Sequence, residues 1–293
     1  MQDVIIVGGG PAGLVAATYL GRFLRPALVL DDGGSRAQWI PTSHNIPGFA
    51  RGIGGVELLE ELKAQALRYG ASIRSAAVSS VSSIPAGFSL QVGAERLEAR
   101  FIVLATGAAD NFPPVAEMPA AVLRGVLRVC PICDGFEARD KKIAVIGDGP
   151  QGGREAEFLS TYSSEITYVH IGKAMPAELS ARMQQAGVQI VIARAADLEI
   201  GAAGLRVNLP ARTQHFDVAY SALGCQRRNA FARSLGAACD ERGALVVGEH
   251  QETSVPGLYA AGDVVRGLNQ VVVAAAEAAI AATDIHNKLR VRT

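Results

Sequence analysis

The sequence predicts an α/β fold of two three-layer domains, the second inserted into the first, and three observations predict it. A β-branched apolar run feeds a glycine-rich turn twice, over residues 4–13 and again over residues 143–152. Each turn is followed by a helical stretch and a second apolar strand, so each half reads as a βαβ unit with a buried parallel strand. At 293 residues, the chain also exceeds the size at which one hydrophobic core usually keeps growing. Both halves are therefore read as Rossmann-like nucleotide-binding domains.

In the first half, Val4-Ile5-Ile6-Val7 is the buried strand, residues 14–20 the helix, and Ala27-Leu28-Val29-Leu30 the returning strand. In the second, Ile143-Ala144-Val145-Ile146 precedes the turn, residues 154–162 read as helix, and Ile166-Thr167-Tyr168-Val169 returns. Between them Phe101-Ile102-Val103-Leu104-Ala105 is a further buried strand, and Phe112-Pro113-Pro114-Val115 breaks regular structure as a hinge. Leu258-Tyr259-Ala260-Ala261 and a long helix from Gln270 read as a return to the first domain. The expected boundaries are 1–112 with 245–293 for the outer domain, and 113–244 for the insert.

Lys+Arg and Asp+Glu balance at 28 each with no long run of one sign, which argues against a nucleic-acid or membrane-surface partner. No window approaches the ~20 uninterrupted apolar residues of a membrane helix, and Met1-Gln2-Asp3 runs directly into the first strand without a signal segment. A cytoplasmic protein is expected. Four cysteines are too few for a disulfide scaffold in a chain this long. Cys225 and Cys239 are read as small packing residues, which leaves Cys130 and Cys133 as the one close pair.

Gly8-Gly9-Gly10-Pro11-Ala12-Gly13 satisfies G-x-G-x-x-G directly between strand and helix. Gly8 allows the tight turn, Gly10 lets backbone approach a pyrophosphate, and Gly13 lets helix and strand pack closely. Pro11 and Ala12 open the helix whose free N–H groups meet the anion. Asp31 closes the second strand 18 residues after Gly13, placed to bind a ribose hydroxyl, with Asp32 an adjacent rival. The second loop, Gly147 to Gly152, is less complete. The strand after it runs into His170-Ile171-Gly172-Lys173, with neither the acid of an NAD site nor the arginines of an NADP site, and Asp148 places a carboxylate in the loop itself. Arg154 and Lys173 are the cations nearest in sequence.

Cys130-Pro131-Ile132-Cys133-Asp134-Gly135 is the sharpest pattern. Pro131 suits the first helical position, which puts Cys130 at the N-cap and Cys133 one turn later on the same face. The positive helix end is expected to depress the Cys130 thiol, making it the exposed nucleophile with Cys133 deeper. Asp134 is placed either to exchange protons with the thiols or simply to start the helix. The competing reading of the pair is half a zinc site, and no second pair exists to complete it, so no metal is expected. Near the end, Gly262-Asp263 finishes a strand before the Ala-rich helix that Asn269-Gln270 begins. A carboxylate there can hold sugar or ribityl hydroxyls, and a helix N-terminus stabilises the negative charge of a reduced flavin.

With these motifs in this order, together with Asn45-Ile46-Pro47-Gly48 and Ala105-Thr106-Gly107, the chain closely resembles the low-molecular-weight thioredoxin reductase family over essentially its full length. The resemblance implies FAD, with cofactor contacts at the first glycine loop and at Asn45, Thr106, Gly107, Gly262, Asp263, Asn269, Gln270 and Val271. It implies that Cys133 faces the flavin, Cys130 exchanges with substrate and Asp134 assists proton transfer. Homodimers and a rotation of the inserted domain are implied too. Members that use NADPH carry His-Arg-Arg where this chain has His170-Ile171-Gly172, and usually a small residue other than glycine where Gly152 stands. NADPH as reductant therefore stays open.

The function expected is an FAD-dependent thiol-disulfide oxidoreductase acting on a thioredoxin-like protein or a small disulfide or dithiol. The alternatives are a ferredoxin-linked disulfide reductase, an oxygen-dependent dithiol oxidase and, in another class, a non-enzymatic flavin redox sensor.

Overall fold

The computed structural model describes residues 1–265 and 267–291, and its packing divides the chain into two compact units. Unit 1 comprises Met1–Gln38, Gly55–Ala109 and Arg227–Thr293; unit 2 comprises Trp39–Gly54 and Asp110–Gln226.

Unit 1 begins with β1 (Gln2–Val7), α1 (Pro11–Arg22) and β2 (Ala27–Asp31), continues after the excursion at Trp39–Gly54 with α2 (Gly55–Arg68), β3 (Ser72–Ser75), β4 (Val78–Ile84), β5 (Gly87–Val92) and β6 (Glu95–Leu104), and reaches the crossing at β7 (Ala108–Asp110). The sheet runs β3-β2-β1-β6-β5-β4, with one further strand beside β6. β1 is parallel to both β2 and β6, whereas β4, β5 and the first half of β6 form an antiparallel meander.

Alternation along β1 assigns the two faces. Val4 and Ile6 pack with α1, and Ile5 and Val7 pack with the meander residues Val81, Phe88 and Leu90. The three layers of this unit are thus helices, sheet and a β-meander, the last of which the sequence pattern does not predict.

Unit 2 follows with α3 (Met118–Leu123), β8 (Leu127–Arg128), α4 (Pro131–Asp134), β9 (Ile143–Gly147), α5 (Pro150–Leu159), β10 (Ile166–His170), α6 (Ala177–Gln185) and β11 (Gln189–Ile192). The strands β12 (Leu198–Gly201), β13 (Gly204–Leu209) and β14 (Arg212–Phe216) then form an antiparallel meander, and β15 (Val218–Ser221) returns to the parallel sheet β11-β10-β9-β15-β8. After β16 (Cys225–Arg227) the chain re-enters unit 1 with α7 (Ala230–Ser234), β17 (Leu258–Ala260), parallel to β6, and α8 (Val271–Val291).

The sequence boundaries differ from these at two places. Residues 227–244 are expected in the insert, yet Ala232 and Ala237 pack into the core that holds Ile5 and Val7. Residues 39–54 are expected in the outer domain, yet Trp39 packs with Phe112 and Val115 of unit 2. In both cases a short apolar contact outweighs position along the chain. The Pro113-Pro114 stretch is irregular, as expected, but lies inside unit 2.

Helix α1 sits close to β1 because Gly13 has no side chain: a Cβ there would overlap the carbonyl oxygen of Gly8. That neighbour is backbone and cannot rotate away. Gly13→Ala is expected to cost about 2 kcal/mol or more through overpacking, measured as a lower urea midpoint with an unchanged slope.

Candidate active site

The nucleotide-like cradle of unit 1 is built on the turn from β1 into α1. Gly8 adopts φ +111°, its N–H donates to Leu30 O at 2.8 Å, and a Cβ there would overlap the carbonyl of Ala105. Gly10 is the N-cap, Pro11 opens the helix, and a Cβ on Gly10 would meet only the side chain of Ser35, whose hydroxyl lies at 3.2 Å. The crowded side of the loop is thus backbone, and the open side is where a phosphate could approach the N–H groups at the start of this 12-residue helix.

Asp31 is half-buried, and its Oδ1 accepts from the N–H groups of Gly9 at 3.1 Å and Gly33 at 3.2 Å. Asp32 is exposed and accepts from Gly34 N–H. Of the two rivals, Asp31 is the one that lines a cavity of about 200 Å³ with Gly9, Ser35 and Glu60 beside the loop.

The C-terminal motif arrives at the same loop. Gly262 takes φ +82° and a Cβ there would lie 3.1 Å from that of Ala12. Its N–H donates to Glu277 on α8 at 2.7 Å, and burial pushes the Glu277 carboxyl up. Asp263 accepts from Arg36 at 2.9 Å, and Arg227 donates both to the Asp263 carbonyl and to Asn269 Oδ1. Gln270 donates to the Asn269 carbonyl, and Val271 begins α8. The hydroxyl of Thr106 donates to Arg228 O at 2.6 Å, and Gly107 takes φ +69°.

Gly8, Gly10, Pro11, Ala12, Gly13, Asp31, Thr106, Gly107, Gly262, Asp263, Asn269, Gln270 and Val271 are therefore all carried by unit 1, on β1–α1 and on the loops beside it. Asn45 belongs to unit 2, where it is exposed and accepts from Ser43. The residues of unit 1 fit a flavin dinucleotide: a glycine cradle in which backbone leaves no room for a Cβ at Gly8 or Gly13, a carboxylate at the end of β2, and a helix N-terminus at Val271. Sequence reasoning misses Arg36 and Arg227, because arginines far from any motif carry no local signal.

In unit 2, Cys130 is the N-cap of α4 and is disulfide-bonded to Cys133, with Cα atoms 5.3 Å apart. Pro131 occupies the first helical position as expected, and Cys133 N–H donates to Cys130 O at 2.9 Å. The two cysteines are both half-buried. Helix α4 is one turn long, which confines any dipole effect on Cys130 to a few N–H groups.

Asp134 accepts a hydrogen bond at 2.8 Å from the hydroxyl of Tyr220, and Arg128 lies 3.7 Å from the same carboxylate oxygen. Burial pushes the Asp134 carboxyl up, against the lowering effect of Arg128 and Tyr220, with Glu137 adding to the rise. Gly135 has no room for a side chain, because the Tyr162 ring and the Pro131 carbonyl stand where its Cβ would be. Cys225 and Cys239 are both half-buried.

The second glycine loop differs from the first. The ring of Tyr168 fills the space beneath it, 2.7 Å from where a Cβ of Gly152 would stand, and its hydroxyl donates to Gly149 O at 3.1 Å. This is why glycine occupies position 152. Burial raises the Tyr168 hydroxyl to about 12. His170 is fully buried against that hydroxyl, with Nε2 unpartnered, and burial pushes the imidazole down, so it is neutral at pH 7.

Position 170 thus presents no cation, Ile171 is half-buried in the core, Gly172 has no side chain, and Asp148 is exposed in the loop. These residues do not fit the 2'-phosphate or the ribose hydroxyls of a pyridine nucleotide. Glu155 on α5 adds further negative charge: one carboxylate oxygen accepts from Gln151 and the other is buried without a partner.

Residues 2–278 match the family model of the pyridine nucleotide-disulphide oxidoreductases, and the chain belongs to that family. Within it, the chain is a flavin-dependent disulfide oxidoreductase of thioredoxin-reductase type. The thioredoxin reductase of Mycolicibacterium smegmatis is 31% identical over 297 residues, which cover 97% of this chain and 95% of that one. That of Treponema pallidum (strain Nichols) is 30% identical, covering 96% and 94%. The solved thioredoxin reductase of Giardia duodenalis superposes with a TM-score of 0.85 at 26% identity, covering 99% of this chain and 100% of that one. Among the described residues no group of His, Cys, Asp and Glu could hold a metal ion, and no helix is long and apolar enough to cross a membrane.

The Glu155 carboxyl is raised by burial. Its folded form therefore binds a proton more tightly than the unfolded chain does, and stability falls as pH rises from the ordinary glutamate range through the folded value. Glu155→Gln removes that fall. Urea denaturation should show the variant more stable than the parent at pH 8, with the difference vanishing at pH 4.

Proposed function

We propose that the chain passes electron pairs between FAD, held by the glycine cradle of unit 1, and a substrate disulfide through Cys130 and Cys133. The observation that carries this reading is a disulfide-bonded Cys130/Cys133 pair on a single helical turn, with the half-buried Asp134 directly after it held by the Tyr220 hydroxyl.

FAD supplies, when bound, a two-electron donor and acceptor matched to a dithiol–disulfide couple. In the cradle, the N–H groups opening α1 would hold the pyrophosphate, Asp31 would hold a ribose hydroxyl, and Asp263, fixed by Arg36, would hold the ribityl hydroxyls. At the dithiol, the Cys130 thiolate attacks one sulfur of the substrate disulfide, forming a mixed disulfide and releasing the first substrate thiolate. The Cys133 thiolate then attacks the Cys130 sulfur, closing Cys130–Cys133 and releasing the second. Two electrons and, at neutral pH, two protons reach the substrate, with Asp134 taking up and returning thiol protons. Cys133 is the sulfur assigned to electron exchange with the cofactor.

The partner is a thioredoxin-like protein or a small disulfide or dithiol, the assembly a homodimer and the compartment the cytoplasm. The second glycine loop favours a source of electrons other than a pyridine nucleotide. Two arrangements satisfy this: a ferredoxin-type carrier feeding a reductase, or the reverse direction, in which a substrate dithiol and dioxygen give a disulfide and hydrogen peroxide with two electrons and two protons conserved.

Anaerobic addition of NADPH or NADH to the FAD-loaded protein is expected to leave the oxidised flavin absorbance unchanged. Bleaching would restore the pyridine-nucleotide reductase, and stoichiometric hydrogen peroxide from a dithiol in air identifies the oxidative direction. Cys130→Ser and Cys133→Ser should each lower turnover by about 10³-fold or more. Only Cys133→Ser should accumulate a covalent adduct with an aromatic disulfide, read by intact-protein mass; an adduct in Cys130→Ser instead would reverse the assigned roles.

A further inference from the structure

Asp134 does not stand alone. Strands β8 and β15 are parallel neighbours with Arg128 directly opposite Tyr220, and both side chains converge on the end of α4. The buried Tyr220 hydroxyl donates to Asp134 Oδ1 at 2.8 Å. Arg128 donates to the Asp134 carbonyl at 2.8 Å, sits 3.7 Å from Oδ1, and donates through Nε to Gly125 O at 3.0 Å. Its guanidinium also reaches the Tyr220 hydroxyl at 3.4 Å and is only 11% exposed. The Tyr220 hydrogen bond and the Arg128 ion pair are both made at Oδ1. Asp134 follows Cys133 directly and lies four residues, one helical turn, beyond Cys130.

We propose that Tyr220 and Arg128 are positioning residues for proton transfer at the dithiol: they hold Asp134 Oδ1 and its backbone in place, leaving Oδ2 as the atom that takes and returns the thiol proton. The inference rests on the reading that Asp134 exchanges protons with the pair. The charged and titratable groups facing Asp134 are Arg128, Tyr220 and Glu137. Burial holds the Tyr220 hydroxyl far above its ordinary range, so it donates at every working pH. Both partners stabilise the ionised carboxylate against the burial that disfavours it. When the dithiol form reduces an external disulfide, the ionised carboxylate accepts the Cys130 thiol proton as Cys130 attacks. The rate should then rise with pH through the Asp134 titration.

The test uses the full FAD-loaded chain carrying Cys225→Ser and Cys239→Ser, chemically reduced, mixed anaerobically with the aromatic disulfide DTNB, and followed at pH 5 to 9 by stopped flow. Tyr220→Phe keeps the ring and removes only the hydroxyl. Its rising limb should move up by about one pH unit, making the reaction about tenfold slower on the acid side and unchanged on the alkaline side. Arg128→Gln should shift the limb the same way, and Arg128→Lys should restore part of it. A limb that stays in place in both Tyr220→Phe and Arg128→Gln, whatever their melting temperatures, overturns the proposal. Asp134→Asn separates the underlying reading: a profile that it leaves unchanged removes Asp134 itself from proton transfer, whereas a flattened limb with unshifted Tyr220→Phe and Arg128→Gln leaves Asp134 in place and removes its two supports.

Discussion

A single close approach of backbone to backbone governs the first unit. The carbonyl of Gly8 occupies the place where a side chain on Gly13 would be, and the carbonyl of Ala105 the place where one on Gly8 would be. Helix α1 therefore lies directly against β1, and β1 directly against the end of β6. Everything that makes the cradle follows from that contact. The first N–H groups of α1 point past the strand ends, Asp31 at the end of the neighbouring strand bonds the loop itself through Gly9, and Gly262 comes within reach of Ala12. Side chains contribute polarity at the margin, but glycine spacing supplies the geometry.

The second glycine loop shows how the same backbone motif can persist while its chemistry changes. Strand, turn and helix are all present, yet the space under the loop is taken by Tyr168 and the residue that ends β10 is folded inward as a neutral, buried imidazole. A motif of this kind reports a fold more reliably than a ligand. What decides the ligand is the charge displayed at the end of the second strand, and here His170, Ile171 and Gly172 display no cation while Asp148 adds a carboxylate.

A large part of this is legible in the residues themselves, because it is local. The β-branched runs and glycine turns locate β1, α1, β9 and α5 to within a few residues, since buried parallel strands and tight turns are dictated by short stretches of sequence. Cys130 at an N-cap before Pro131 is equally local. What escapes is everything set by strand register across long separations: the meander β4–β5, the membership of residues 39–54, and above all the meeting of Arg128 with Tyr220, which are 92 residues apart. Tyr220 lies within the apolar run of β15 and reads as a core residue; its partner is chosen by pairing with β8, which two residues of strand do not announce. Arg36 and Arg227 are illegible for the same reason.

The threading of the chain has a consequence for how the molecule is made. Helix α8 packs against α1 in one apolar core, although some 250 residues separate them, and β17 completes a sheet begun by β1. During synthesis the first strands emerge long before the elements that cover them. The residues of unit 2 between Asp110 and Gln226 form one uninterrupted stretch and can begin to collapse on the ribosome. The nucleotide cradle needs β17 and α8, which follow unit 2 along the chain, so its seat can be completed only after the cysteine turn has been synthesised.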